Sequence, residues 1–250
     1  MSPRSPTGIR PIPASRAANL SSVKAILWDF DGTLAYRHGL WGGCLAEVLQ
    51  ANEPQAGFTR DDVRPLLRDG FPWHRADLPH PELSAPEAWW EVVEALLFRA
   101  CLELGLPEDK ARRYARETHH RYIDVAGFQL FDDTIPVLGS LRADGWRHII
   151  LSNHVPELRD LVEGLALADL VDDVLSSAIT GYEKPNPLAF ELGRKAAGHP
   201  PELWMVGDNV TADVRGAEAV GIPAILVRTE DESVARRAQD LYGIRALLVG

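Results

Sequence analysis

The chain of 250 residues contains only two cysteines, Cys44 and Cys101, and neither belongs to a CxxC pair. This excludes a disulfide framework and a cysteine-based zinc site, because both require clustered or paired thiols. No apolar stretch approaches the roughly 20 residues that a membrane-spanning helix needs, and the first residues lack the apolar core of a secretory signal. We therefore expect a cytoplasmic protein with no membrane partner.

Positive charge is also scarce, since 26 Lys and Arg residues stand against 36 Asp and Glu residues and the formal net charge is −10. A general polyanion binder needs an excess of basic residues, so we expect no nucleic-acid partner. A locally positive pocket can still hold a phosphate. The expected partner is therefore a small molecule, and a monomer and a homodimer both remain open.

Residues 1–22 are rich in proline and arginine and contain no acidic residue. This composition predicts a flexible leader rather than a packed element. An organellar transit peptide has a similar bias, but prolines this closely spaced would break the amphipathic helix that such peptides use.

Short apolar segments recur along the rest of the chain, and most of them end at polar or glycine-containing turns. They are Val23 to Trp28, Trp146 to Leu151, Leu203 to Val206, Ala224 to Val227 and the more mixed Val171 to Ser176. Helical patterns lie between them, at 156–164, 187–197 and 211–220. This alternation predicts an α/β fold, a doubly wound (Rossmann-like) parallel sheet whose ligands bind beyond the carboxyl ends of the strands.

Residues 36–141 break the alternation, because they contain several helical patterns and no convincing strand. We therefore predict an all-helical cap at 36–141, inserted into a core that consists of 23–35 and 142–250. Within this cap, residues 71–81 are too rich in proline and aromatic residues for a regular helix and are predicted to form a surface loop. His74 or Arg75 binding a distal group of a substrate is the alternative interpretation.

Two carboxylates follow the first predicted strand, in Trp28-Asp29-Phe30-Asp31-Gly32-Thr33. Residues two apart in an extended segment face the same side, so Asp29 and Asp31 can share a site. Two carboxylates about 4 Å apart repel by roughly 4 kcal/mol at an effective dielectric of 20, and a divalent cation relieves this repulsion. Mg²⁺ suits the pair because it prefers oxygen ligands and keeps positions for water and phosphate. By itself, the same segment is equally typical of a polar turn.

Three further signals follow in order along the chain. They are Ser152 after the second strand, Lys184 in Gly181-Tyr-Glu-Lys-Pro185, and Asp208 and Asp213 in Gly207-Asp-Asn-Val-Thr-Ala-Asp213. Together with Asp29-x-Asp31-Gly-Thr33 they match four motifs of the haloacid dehalogenase superfamily, which the sequence resembles from about Val23 to Val227. The predicted helical insertion is similar to the subfamily I cap of that superfamily.

The resemblance implies a magnesium-dependent phosphohydrolase that acts on a small organic phosphate monoester. In such an enzyme Asp29 forms an aspartyl-phosphate and Asp31 is the general acid and base. The implied phosphate-binding groups are Ser152, Lys184 and the backbone N–H of Asn153. The implied magnesium ligands are Asp29, the backbone carbonyl of Asp31 and Asp208, with Asp213 and Thr33 in supporting positions.

Other functions remain open at this point. Dehalogenases of the superfamily lack an acid at the position of Asp31, so its presence favours phosphate chemistry. A phosphomutase of the same family keeps both acids, and a binding protein can retain the scaffold without turnover. A receiver domain of two-component signalling is disfavoured, because its phosphate-accepting Asp ends a third strand and no long helical insertion precedes it.

Overall fold

A computed structural model describes residues 23–248, so the predicted leader lies outside the described residues. The strands are β1 (Lys24–Trp28), β2 (Ala35–Arg37), β3 (Phe128–Leu130), β4 (Trp146–Ser152), β5 (Asp173–Ser176), β6 (Glu202–Gly207), β7 (Ala224–Val227) and β8 (Arg237–Ala238). The α-helices are α1 (Leu40–Asn52), α2 (Arg60–Val63), α3 (Pro86–Glu103), α4 (Glu108–Tyr122), α5 (Thr134–Ala143), α6 (Leu158–Gly164), α7 (Ser177–Thr180), α8 (Pro187–Ala196) and α9 (Gly216–Ala219). Short 3₁₀ segments cover Arg64–Leu67, Pro72–Arg75, Pro81–Leu83, Val125–Gly127 and Leu241–Ala246, and a π-helical turn covers Val210–Arg215.

Six strands form one parallel sheet in the order β5-β4-β1-β6-β7-β8. Strand β1 lies in the interior, with Lys24 opposite Trp146 of β4 and Glu202 of β6. Strands β4 and β5, which follow first in the chain, lie on one side of β1, and the later strands β6, β7 and β8 lie on the other side. The strand order therefore reverses at β1. Such a switch point is where ligands bind in open α/β sheets. The predicted fold class is confirmed.

The central strands β1, β6 and β7 are buried on both faces, which explains why their sequences are almost entirely apolar. Alternate residues of β1 belong to different clusters: Ala25 and Leu27 pack on one face, and Ile26 and Trp28 on the other. Within the described chain no helix is long and apolar enough to cross a membrane.

A buried histidine lies on the second of these faces. Trp28 Nε1 donates a hydrogen bond to Nδ1 of His148 at 3.0 Å, and Nε2 of His148 lies 3.1 Å from the carbonyl oxygen of Leu138. This arrangement requires a neutral ring with its proton on Nε2. Burial lowers the pKa of His148 to about 4.

Helices α1 to α4 are inserted between β2 and β3, which pair as a two-stranded antiparallel ribbon. The sequence prediction of no strand in this region was wrong, because strands of three residues are too short to show an alternating pattern. Helix α4 packs on α1 and α3, and their apolar core is continuous with one face of the sheet. Helix α5, which starts inside the predicted cap range of 36–141, packs against β4. The boundaries at 36 and 141 therefore stay a prediction.

Candidate active site

Asp29 lies directly beyond β1, at the carboxyl edge of the sheet, and its backbone N–H donates to the carbonyl of Val206 at 2.9 Å. Its Oδ1 accepts hydrogen bonds from the hydroxyl of Ser152 and from Nζ of Lys184, both at 2.8 Å. Ser152 is the last residue of β4, and β4 is paired with β1, so the sheet register brings the two side chains together. Three predicted site residues therefore meet at one carboxylate oxygen.

Lys184 also donates to Oδ1 of Asp213 at 2.5 Å, and both side chains are almost completely buried. Burial opposes the charged ammonium, but the carboxylates of Asp213 and Asp29 outweigh this effect and raise the pKa of Lys184 well above its ordinary value. The other oxygen of Asp213 accepts from the backbone N–H of Asn209 at 2.9 Å. Lys184 is thus held as a cation between two carboxylates.

Asp29, Asp208 and Asp213 form a carboxylate cluster in which one oxygen of each residue lies within 4.8 Å of the others. Burial and the negative charges of Asp29 and Asp213 raise the pKa of Asp208 to about 7. Burial also raises the pKa of Asp213 to about 6. Burial therefore disfavours the ionised form of both side chains, and the negative charge of Asp29 adds to this effect at each of them. A set of carboxylate oxygens with excess charge fits a hard divalent cation.

Gly32 allows this cluster to form. Its φ of +81° lies in the left-handed region, and a Cβ atom added there would lie 2.3 Å from Oδ2 of Asp208. No other residue type combines that backbone conformation with such a close approach.

Asp31 points to a different neighbour. Its Oδ2 lies 3.3 Å from Nε2 of His154, whose side chain is 1% exposed and packs edge-on against Phe30. Within residues 23–248 neither ring nitrogen of His154 has a hydrogen-bond partner of acceptable geometry. The only signal for His154 in the sequence is its place two residues after Ser152, which assigned it no role.

Asn153 acts through its side chain. Its Nδ2 donates to the carbonyl of Lys184 at 2.8 Å, and its Oδ1 accepts from the backbone N–H of Lys184 at 2.7 Å. This pair of bonds fixes the loop that carries the lysine. The predicted role of the Asn153 backbone N–H as a phosphate donor stays a prediction.

Thr33 is fully buried, and its carbonyl oxygen accepts from Nε of Arg228 at 3.1 Å. Arg228 lies just beyond β7 and forms an ion pair with Asp133. Asp133 also accepts from the backbone N–H of Leu241 at 2.8 Å. The Thr33 backbone, rather than its hydroxyl, is therefore the group that connects the first motif to the end of the sheet. Sequence reasoning missed Arg228, since no local pattern marks it.

Glu183 and His80 form a second connection that sequence reasoning missed. Glu183 is fully buried next to Lys184, and its Oε1 lies 3.1 Å from Nε2 of His80. This hydrogen bond raises the pKa of His80. The backbone N–H of His80 donates to the carbonyl of Gly181 at 2.9 Å. The segment before α3 is thereby attached to the lysine loop.

A cavity with a volume of about 330 Å³ opens beside Asp31. Asn153 and His154 line it from the sheet, and residues of the insertion line it from the other side. The stretch 71–81 forms no α-helix, as predicted, but contains one 3₁₀ turn at Pro72–Arg75 and ends where a second begins at Pro81, and His74 lies in the cavity wall. Arg75 is not among the lining residues in the described part of the chain.

Comparisons with known proteins agree with this architecture. The sequence profile of the haloacid dehalogenase-like hydrolases matches residues 23–221. The phosphoserine phosphatase of Thermus thermophilus is 32% identical to this chain, and the match covers 82% of this chain and 88% of that protein.

Solved structures of both phosphatases and dehalogenases share the fold. An HAD phosphatase from Thermococcus onnurineus superimposes with a TM-score of 0.64 at 26% identity, covering 91% of this chain and 99% of that chain. A 2-haloacid dehalogenase from Pseudomonas syringae gives a TM-score of 0.62 at 22% identity, covering 90% and 98%. With the profile matching most of its length, this chain belongs to the haloacid dehalogenase-like hydrolase family, and the prediction of a hydrolase from this superfamily is confirmed.

Proposed function

We propose that the protein is a magnesium-dependent phosphohydrolase that removes phosphate from a small organic phosphate monoester. The observation that carries this proposal is the meeting of the Ser152 hydroxyl and the Lys184 ammonium at Oδ1 of Asp29. Both groups are donors suited to phosphoryl oxygens, and both surround the carboxylate that would attack phosphorus. The named phosphatase activity of the Thermus thermophilus relative supports the same class of substrate.

In the proposed reaction, a carboxylate oxygen of Asp29 attacks phosphorus, and the bond from phosphorus to the leaving oxygen breaks. Asp31 gives its proton to that oxygen and later takes a proton from the water that hydrolyses the aspartyl-phosphate. Asp31 lines the cavity, where the leaving group would lie. An acid at this position has no use in dehalogenation, because halide leaves without a proton.

The magnesium ligands in this proposal are Asp29, the backbone carbonyl of Asp31 and Asp208. The carboxylate cluster and the raised pKa of Asp208 support a cation there. When bound, Mg²⁺ neutralises these carboxylates and polarises the phosphoryl group. Asp213 would position Lys184, to which it is hydrogen-bonded.

The insertion between β2 and β3 would serve as a cap that selects substrates, since it forms much of the cavity wall. We propose this role for residues 36–141 as predicted.

The test is release of phosphate from phenyl phosphate with and without Mg²⁺. We expect Asp29→Asn to lower kcat/KM by about 1,000-fold or more and Asp31→Asn to lower it strongly as well. Asp160→Asn, an exposed acid on α6, is the matched control and should retain activity. The proposal fails if the Asp29→Asn protein releases as much phosphate as the wild type.

The intermediate offers a second test. Rapid quenching with a ³²P-labelled substrate should trap label on Asp29, and label on another residue would contradict the assignment. A phosphomutase would instead transfer the label to an added acceptor faster than to water.

A further inference from the structure

The residues that line the cavity beside Asp31 include more basic than acidic side chains, although the whole chain is acidic. The whole protein has a formal charge of −10, yet Asp31 is the only carboxylate among the described residues that line the cavity. Two arginines, Arg60 and Arg64, line it from the insertion. A cavity with an acid at its catalytic side and two cations in its wall favours an anionic group on the ligand.

These arginines have no internal carboxylate to neutralise them. Among residues 23–248 neither guanidinium lies within 4.0 Å of an Asp or Glu oxygen, whereas Arg37, Arg142 and Arg228 all have such a partner. An arginine pair one helical turn apart can grip a carboxylate or phosphate through parallel N–H donors.

Local structure holds Arg60 at the cavity. Thr59 and Asp62 form a capping box that fixes the start of α2. A Cβ added to Gly39 would lie 3.5 Å from Cδ of Arg60, and one added to Gly42 would lie 3.7 Å from its Cγ. The aliphatic part of Arg60 therefore lies along glycines at the start of α1.

Four aromatic rings lie in the wall next to these arginines, beside polar side chains such as His74 and Asn153. Trp41 and Tyr122 stack with ring centroids 3.7 Å apart and planes inclined by 8°, and Phe71 stacks on Trp73 at 4.4 Å and 10°. All four rings line the cavity. Such rings offer apolar contacts to a flat carbon skeleton, and the polar side chains of the same wall can bind charged substituents on it.

We propose that the substrate is a phosphate monoester with a flat, largely apolar skeleton that carries a second anionic group, a carboxylate or a second phosphate, bound by Arg60 and Arg64. This inference rests on the proposed phosphohydrolase function and specifies its substrate class. The aromatic rings contact the skeleton, and the arginines bind the distal anion while the phosphoryl group lies at Asp29.

The test compares kcat/KM for matched aryl phosphates. The set contains phenyl phosphate, 4-carboxyphenyl phosphate, its methyl ester, in which the carboxyl group is uncharged, a longer 4-(2-carboxyethyl)phenyl phosphate and 1,4-phenylene bisphosphate. We expect kcat/KM for at least one compound with a second anionic group to exceed that for phenyl phosphate and for the methyl ester by about 10- to 100-fold, the range of one or two charge-assisted hydrogen bonds. A larger kcat/KM for the carboxylates than for the bisphosphate would identify the distal anion as a carboxylate, and the reverse would identify it as a phosphate.

Variants test whether Arg60 and Arg64 cause the preference for a second anionic group. In the double variant Arg60→Gln/Arg64→Gln, kcat/KM for the compounds with a second anionic group should fall close to the value for phenyl phosphate. Arg68→Gln, an exposed arginine on the same segment that does not line the cavity, should keep the wild-type preference. Magnesium-dependent turnover of phenyl phosphate without any preference, or a preference that survives the double variant, overturns this inference and leaves the proposed function intact.

Binding without turnover provides an independent measurement. Trp41 and Trp73 line the cavity, so ligand entry should change tryptophan fluorescence of the Asp29→Asn protein. We expect 4-carboxyphenyl phosphate or its longer homologue to bind about 10-fold or more tightly than phenyl phosphate, and the double arginine variant to lose this difference. Equal affinities for all the compounds would overturn the inference even if no compound is hydrolysed.

Discussion

Nε2 of His80 lies 3.1 Å from Oε1 of the fully buried Glu183, and this contact joins the segment before α3 to the loop that carries Lys184. Glu183 is the neighbour of Lys184 in the chain, so the order of the lysine loop depends on a residue from the insertion. The first prediction follows from this pair.

His80→Ala leaves the Glu183 carboxylate buried without its partner, which destabilises a protein by about 3 kcal/mol or more. Urea denaturation should show this loss in the free energy of unfolding. His120→Ala, which removes an exposed histidine from α4, is the control and should change stability little. Equal stability of the His80→Ala and His120→Ala proteins would mean that the pair does not stabilise the fold.

A second prediction concerns pH and His148. Its pKa is about 4 in the folded protein and ordinarily 6.5, so the unfolded chain binds the proton first as the pH falls. The contribution of the neutral ring to the free energy of unfolding is fully present above about pH 6.5 and is lost progressively as the pH falls toward 4. Between pH 7 and pH 5 this loss is about 2 kcal/mol. The free energy of unfolding, measured at both pH values, should fall more for the wild type than for His148→Gln. A parallel pH dependence of the two proteins would refute this assignment.

Gly32→Ala should impair the metal site specifically. The added Cβ would lie 2.3 Å from Oδ2 of Asp208, so that carboxylate must move. We expect the Mg²⁺ concentration for half-maximal activity to rise about 10-fold or more. Gly57→Ala is the matched control, because Gly57 also has a positive φ, +69°, but an added Cβ there has no atom within 4 Å. Both variants should lose about 1 to 2 kcal/mol of stability from the left-handed backbone conformation, and an equal Mg²⁺ requirement in both would contradict the proposed contact.

Asn153→Ala should lower activity by loosening the lysine loop. It removes two hydrogen bonds to the Lys184 backbone, each worth about 1 kcal/mol, and we expect kcat/KM to fall by about 10- to 100-fold. Asn52→Ala removes a half-buried asparagine of α1 that bonds Glu117, and it serves as the control. The measurement is kcat/KM for phenyl phosphate in the two variants. An unchanged kcat/KM in Asn153→Ala would show that these two hydrogen bonds are not needed to position the loop.

The local sequence predicted the strands that are buried along almost their whole length. Strands β1, β4, β6 and β7 are almost entirely buried, so each contains an apolar run of four or five residues that ends near a polar turn. Strands β2 and β3 have three residues each and left no such pattern. Where one helix was predicted at 211–220, the chain forms a π-helical turn and then α9. Asn209 caps that turn, and Asp213 within it is hydrogen-bonded to Lys184.

The sequence alone determined the α/β class and the order of Asp29, Ser152 and Asp208 at strand ends, with Lys184 in a loop between the last two, because both follow from local apolar patterns and motif spacing. Only the tertiary structure decided which atoms meet. The shared oxygen of Asp29, the carboxylate cluster and the arginine-lined cavity all join residues far apart in the chain. Such contacts depend on the register of the sheet and on the packing of the insertion, and neither can be predicted from a short segment of the sequence.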